Sequence, residues 1–133
     1  MRFLIDCDVL LDVILNRAPH AEDSSQLVDW AEAHPGRAGV AWHTFANVHY
    51  LAASPCLPFL RRLASFVIVP ATGSAHLHRA LHLEMGDFED AMQVSSAECF
   101  AAQFIVTRNL RDYVRSPIKA IPPKAALALL KSL

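Results

Sequence analysis

The chain has 133 residues, of which 53% are apolar and 19% charged, with a formal net charge of -1. That length suits one domain, residues 1–133, with a single core, and the composition argues against disorder. A near-neutral chain has no global basic field, so any nucleic-acid partner must be held by a local patch. The high apolar share also points to surface covered by a second copy, as in a homodimer, or by a bound peptide. Cys7, Cys56 and Cys99 are unclustered and lack CxxC spacing, which fits reduced, buried thiols. No run approaches the ~18 apolar residues of a membrane span. Asp6, Asp8 and Asp12 stand where a signal peptide would be uncharged, so the cytoplasm is the expected location.

Along the chain, RFLIDC reads as a buried strand and DVLLDVILNR as the helix leaving it, with a break at Arg17-Ala18-Pro19. Residues 20–34 form an amphipathic pattern with Leu27, Val28, Trp30 and Ala31 on its apolar side, ended by HPGRAG. AGVAWH predicts a short strand, TFANVHYLAA a helix, and FLRRLA a second short helix after Pro55 and Pro58. SFVIVP is the clearest buried strand by pattern. A helix follows over residues 73–84, another from Asp87 to about Ala102, then the strand QFIVT. PIKAI predicts a last short strand and PPKAALALLKSL a closing helix, which Pro122 and Pro123 suit as a start. Strands separated by helices, with no tight hairpin, imply an α/β fold of three layers, α/β/α, around a central parallel sheet of four to five strands.

In such sheets ligands bind outside the carboxyl ends of the strands. Asp6, Asp8 and Asn109 all fall at that edge. Asp6 ends the first strand and can meet a metal directly, while Asp8 begins the helix turn and can hold a water or cap the helix. GDFEDA crowds Asp87, Glu89 and Asp90 into four residues, a repulsive arrangement unless a cation or an arginine is near. Asp87 and Asp90 also suit a helix N-cap and the third helical position. After QFIVT, Thr107 can hydrogen-bond a carboxylate or phosphate, Arg108 and Arg111 can grip backbone phosphates, and Asp112 follows. Buried carboxylates far apart in sequence are costly to desolvate unless paired, so their convergence would call for Mg²⁺ or Mn²⁺. His78 and His82 have helical ligand spacing but lack a third ligand, and read as a helix face.

Taken together, LIDCDVLLDVILNR, GDFEDAMQVSSAECFAAQFIVTRNLRDY and SPIKAIPPKAAL resemble the PIN-domain family, in its branch of VapC-type toxin ribonucleases. The resemblance spans nearly the whole chain. It implies a PIN-like fold in which acidic residues bind Mg²⁺ or Mn²⁺ and activate a water that cuts an RNA phosphodiester. Asp6 matches the first family acid and Asp90 the third. The fourth falls in TRNLRDY, at Asn109 or Asp112. The second, a Glu in the helix after strand two, is matched here by Asn47. The resemblance thus implies Asp6, Asp90 and Asp112 as catalytic metal ligands, with Asp8 and Asp87 as further metal-site acids. Asn47, Thr107 and Asn109 would support them, and Arg17, Arg108 and Arg111 would hold RNA phosphates. It also implies an antitoxin partner of VapB type and a homodimer. Two other readings are open: a catalytically weakened PIN fold that binds RNA or protein, favoured by Asn47, and a haloacid-dehalogenase-type phosphatase, favoured by IDCDV.

Overall fold

A computed structural model describes residues 1–133. Four strands, β1 (Phe3–Ile5), β2 (Ala38–Gly39), β3 (Phe104–Val106) and β4 (Lys119–Ile121), form one sheet in the order β2-β1-β3-β4. All three pairings are parallel, and Leu4 lies opposite both Gly39 and Ile105. Seven helices cover the sheet: α1 (Cys7–Ile14), α2 (Ala21–Ala33), α3 (Trp42–Ala52), α4 (Leu57–Ala64), α5 (Ser74–His82), α6 (Phe88–Cys99) and α7 (Pro123–Lys131). A 3₁₀ turn, Leu110–Tyr113, links β3 to β4. This is the three-layer parallel arrangement expected from the sequence. No helix is long and apolar enough to cross a membrane.

The alternation of strand side chains divides the interior. Phe3, Ile5, Phe104 and Val106 join the larger core with residues of α1, α2 and α7, while Leu4 and Ile105 meet Val94, Ala97 and Tyr113 on the other face. Both faces are therefore buried, which is why the strands read as unbroken apolar runs. The chain passes from β1 to β2 on one side and returns to β3 on the other. That reversal opens a crevice at the carboxyl ends of β1 and β3, where Asp6 and Thr107 follow directly.

Three local expectations need correction. SFVIVP does not form a strand; it contributes one isolated bridge, Gly39 to Ile68, and Ile68 and Val69 are exposed. Its apolar pattern reflects Phe66 and Val67, which enter the core from a turn. AGVAWH pairs over two residues only, because α3 begins at Trp42. The N-cap of α1 is Asp6 and not Asp8: Asp6 is extended and its carboxylate accepts a hydrogen bond from the Cys7 N–H at 2.7 Å.

Gly39 marks where α6 ends against the sheet. A Cβ there would stand 2.8 Å from the Phe100 ring and 3.3 Å from Leu4. Gly39→Ala is expected to destabilise the protein by roughly 1–3 kcal/mol through overpacking. Gly86→Ala, with nothing within 4 Å, should leave stability within about 0.5 kcal/mol. Chemical denaturation of the two variants checks this, and equal midpoints would contradict the close approach.

Candidate functional site

Asp6 is 5% exposed and its carboxylate is fully engaged. Besides the Cys7 N–H, Oδ1 accepts from Gln93 Nε2 at 3.0 Å, and Oδ2 accepts from Thr107 Oγ1 at 2.8 Å and Tyr113 Oη at 3.1 Å. Gln93 Nε2 also donates to Thr44 Oγ1 at 2.9 Å, which ties α3 into the same network. Burial raises the Asp6 pKa, and the hydrogen bonds from Thr107, Cys7 and Tyr113 oppose that rise.

Asp8 and Asp90 flank this anchor. Asp8 Oδ2 accepts from the Arg108 N–H at 2.9 Å, and Thr107 Oγ1 stands 3.3 Å away. Burial, followed by the charge of Asp6, raises its pKa to about 6. Asp90, at the third position of α6 beyond the Asp87 cap, lies 3.3 Å from Tyr113 Oη. Burial first, then the charges of Asp6, Asp87 and Asp112, raises its pKa to about 7. The Tyr113 hydroxyl has one hydrogen for two carboxylates. It therefore donates to one at a time, with Asp6 Oδ2 at 3.1 Å and Asp90 Oδ1 at 3.3 Å sharing the same donor.

Asp6, Asp8 and Asp90 line one cleft of about 310 Å³, together with Glu89, Arg17, Arg108, Asn109 and Leu51. Asp87, Asp112 and Arg111 line an adjoining cleft. Of the two candidates in TRNLRDY, Asn109 thus shares the cleft of the other acids, and Asp112 reaches it only through the field it exerts on Asp90. Asn47 is half-buried on α3, one turn from both Thr44 and Leu51, so it occupies the helix face turned toward the cleft. The face carries no carboxylate.

Sequence reasoning missed three residues. Asp12 is fully buried and binds two arginines: Oδ1 accepts from Arg17 Nε at 2.9 Å and from an Arg108 terminal nitrogen at 3.0 Å, and Oδ2 accepts from Arg108 Nε. Its signal was a lone acid in the otherwise apolar VLLDVIL, four residues after Asp8 on one helix face. Gln93 carried a similar signal, one turn beyond Asp90 on a helix whose neighbouring positions are small or apolar. Tyr113 belonged to a motif noted for its acid, but its own hydroxyl is the bridge.

No three His, Cys, Asp or Glu side chains form a ready metal cage. The donor chemistry nonetheless fits a hard divalent cation, which takes oxygen ligands. The cleft gathers Asp6, Asp8, Glu89 and Asp90 against Arg17 and Arg108, and both arginines are engaged by Asp12. Burial raises the pKa values of Asp8 and Asp90, and the negative charge of Asp6 adds to the rise in both.

A family model described as PIN domain matches residues 2–111. The chain belongs to the PIN-domain family. Comparison with curated proteins finds no match by sequence. In structure, this PIN domain is similar to a toxin-antitoxin complex from Klebsiella pneumoniae, at 20% identity over 90% of this chain and 96% of that chain, with a TM-score of 0.63. It is also similar to FitAcB from Neisseria gonorrhoeae, at 13% identity over 92% and 98% of the two chains, TM-score 0.67. A third likeness is to VapBC2 from Rickettsia felis bound to a DNA fragment from their promoter, at 13% identity, the same coverage and a TM-score of 0.65. At these identities the likeness establishes a shared fold. Membership of the PIN family sets the phosphatase reading aside, and Lys119, Lys124 and Lys131, the candidates for its essential lysine, are all exposed.

An acid whose folded pKa lies above its unfolded value binds more protons when folded, so its contribution to stability declines as pH rises from about 4 to 7. In metal-free buffer at pH 7.5, Asp90→Asn is therefore expected to stabilise the protein by about 1 kcal/mol after allowance for solvent screening, a rise of a few degrees in Tm. The gain should shrink at pH 5. Thermal melts at both pH values check this; destabilisation of equal size at each would contradict it.

Proposed function

We propose that this PIN domain is a Mg²⁺- or Mn²⁺-dependent endoribonuclease, the toxin of a VapBC-like pair. The observation that carries the reading is the convergence of Asp6 and Asp8, from the junction of β1 and α1, with Asp90, from the start of α6 more than eighty residues later, on one negatively charged cleft at the reversal point of the sheet. Residues 1–133 would act as one domain in the cytoplasm. The similar structures include a toxin-antitoxin complex and VapBC2, which supports an antitoxin partner here. Exposed Trp42, Tyr50 and Leu51 on α3 support a homodimer.

Asp8 and Asp90 would hold the cation, with Asp6 behind them as a ligand of limited freedom and Asn109 as a neutral donor. Asp112 and Asp87 would act through their field and through waters in the adjoining cleft. A bound divalent ion supplies charge for the phosphate and lowers the pKa of a water. The protein's own part is positional. Thr107 fixes Asp6 and stands near Asp8, the Arg108 backbone orients Asp8, and Tyr113 keeps its proton, since burial and the neighbouring carboxylates push its pKa upward. Arg17 and Arg108 would hold RNA phosphates at the rim, with Arg111 on the side of the second cleft.

A second reading, a PIN fold that binds RNA without cutting it, is favoured by Asn47 on the cleft side of α3, where the resemblance calls for a Glu. One assay separates them. Purified protein with single-stranded and structured RNA should cleave in Mn²⁺, stop in EDTA, and lose at least 10- to 100-fold of its rate in Asp90→Asn and Asp6→Asn. Cleavage untouched by either substitution would overturn the assignment, and RNA binding with no cleavage would support the second reading.

A further inference from the structure

Asp12 has no oxygen in the cleft, yet the two guanidiniums it holds are both part of the cleft wall. Its carboxylate is fully buried, and an unpaired charge there would cost several kcal/mol, so its bonds to Arg17 and Arg108 are structurally obligatory. The two arginines come from different places. Arg17 follows α1 and Arg108 follows β3, and without an anion between them their like charges would repel. Arg108 gives Asp12 one whole edge, Nε and a terminal nitrogen; Arg17 gives Nε to Asp12 and a terminal nitrogen to the Asp8 carbonyl at 3.4 Å. The second terminal nitrogen of each has no protein partner. Their side chains keep 40% and 26% of their exposure, respectively.

We infer that Asp12 is a positioning residue which joins Arg17 and Arg108 into a two-guanidinium clamp for an RNA backbone phosphate beside the carboxylate cleft. This rests on the ribonuclease reading. Asp12 does two things for such a clamp. It preorganises both forks, so little side-chain freedom is lost when phosphate binds. It also keeps the arginines turned from Asp8 and Asp90: released, they would close onto those carboxylates, and both the phosphate site and the cation site would be lost. The three side chains carry a net charge of +1, the sign a phosphate needs next to an otherwise acidic cleft.

The test is RNA affinity in EDTA, read by fluorescence anisotropy of a labelled short single-stranded oligoribonucleotide across a salt series. Simple charge counting says that Asp12→Asn, which removes a negative charge, binds RNA more tightly. The clamp requires the opposite. Asp12→Asn should weaken binding about five- to tenfold and flatten the plot of log K against log salt by roughly 0.7, the share of one single-strand phosphate contact. Adding Arg17→Gln and Arg108→Gln to it should cost much less than the same pair costs the native protein. Should Asp12→Asn not fold, Arg108→Lys keeps the charge but loses the two-pronged bond to Asp12, and is expected to bind at least threefold more weakly. Native protein that binds and cleaves RNA while Asp12→Asn, or Arg108→Lys in its place, binds as tightly as native overturns the clamp alone. Native protein that neither binds nor cleaves RNA overturns the clamp together with the ribonuclease reading.

Discussion

A single desolvated carboxylate organises this molecule. Asp6 leaves the central strand β1 into an interior where an unpaired charge would cost several kcal/mol, and donors from four segments offset that cost: the α1 backbone at Cys7, Gln93 on α6, Thr107 beyond β3 and Tyr113 in the 3₁₀ turn. Each charge-assisted bond is stronger than a neutral one and fixes a direction as well as a distance. The anion therefore works as a locating pin between layers. Once these segments are pinned, Asp8 and Asp90 have little choice but to face the same space.

The buried acids, Asp6 and Asp12, differ from the half-buried Asp8 and Asp90 in what they are given. Asp6 receives four donors and Asp12 two arginines, so each is a satisfied charge with a structural task. Asp8 and Asp90 receive less, and burial first, then the charge of Asp6, raises their pKa values to about 6 and about 7. A protein that wanted only stability would have spent its arginines on them. Instead Asp12 takes both guanidiniums, and neither Asp8 nor Asp90 forms an ion pair.

The parts of this fold that were legible in the sequence are those where local pattern and tertiary context agree. The runs around Phe3–Ile5 and Phe104–Val106, the cap at Asp87 and the carboxylates at the strand ends all carry short-range signals that survive folding. SFVIVP misled because apolar β-branched residues look alike in a strand and in a turn that tucks two side chains inward, and only pairing partners tell them apart. The donors around Asp6 were harder to read. Gln93 and Tyr113 lie 87 and 107 residues away from it, and nothing local says that a buried amide or phenol will meet a carboxylate. Asp112 is the acid in TRNLRDY, but the turn of the 3₁₀ segment gives the shared cleft to Asn109.

A divalent ion entering the proposed site beside Asp8 and Asp90, whose pKa values are raised to about 6 and about 7, must displace the protons they hold. Calorimetric titration of Mn²⁺ into the protein, repeated at one pH in buffers of different ionisation enthalpy, measures how many protons leave as the ion binds. Near pH 6.5 the expected result is saturable binding with release of about half a proton or more per ion, falling toward zero by pH 8.5. Binding with no proton release at pH 6.5, or no binding at millimolar Mn²⁺, would contradict it.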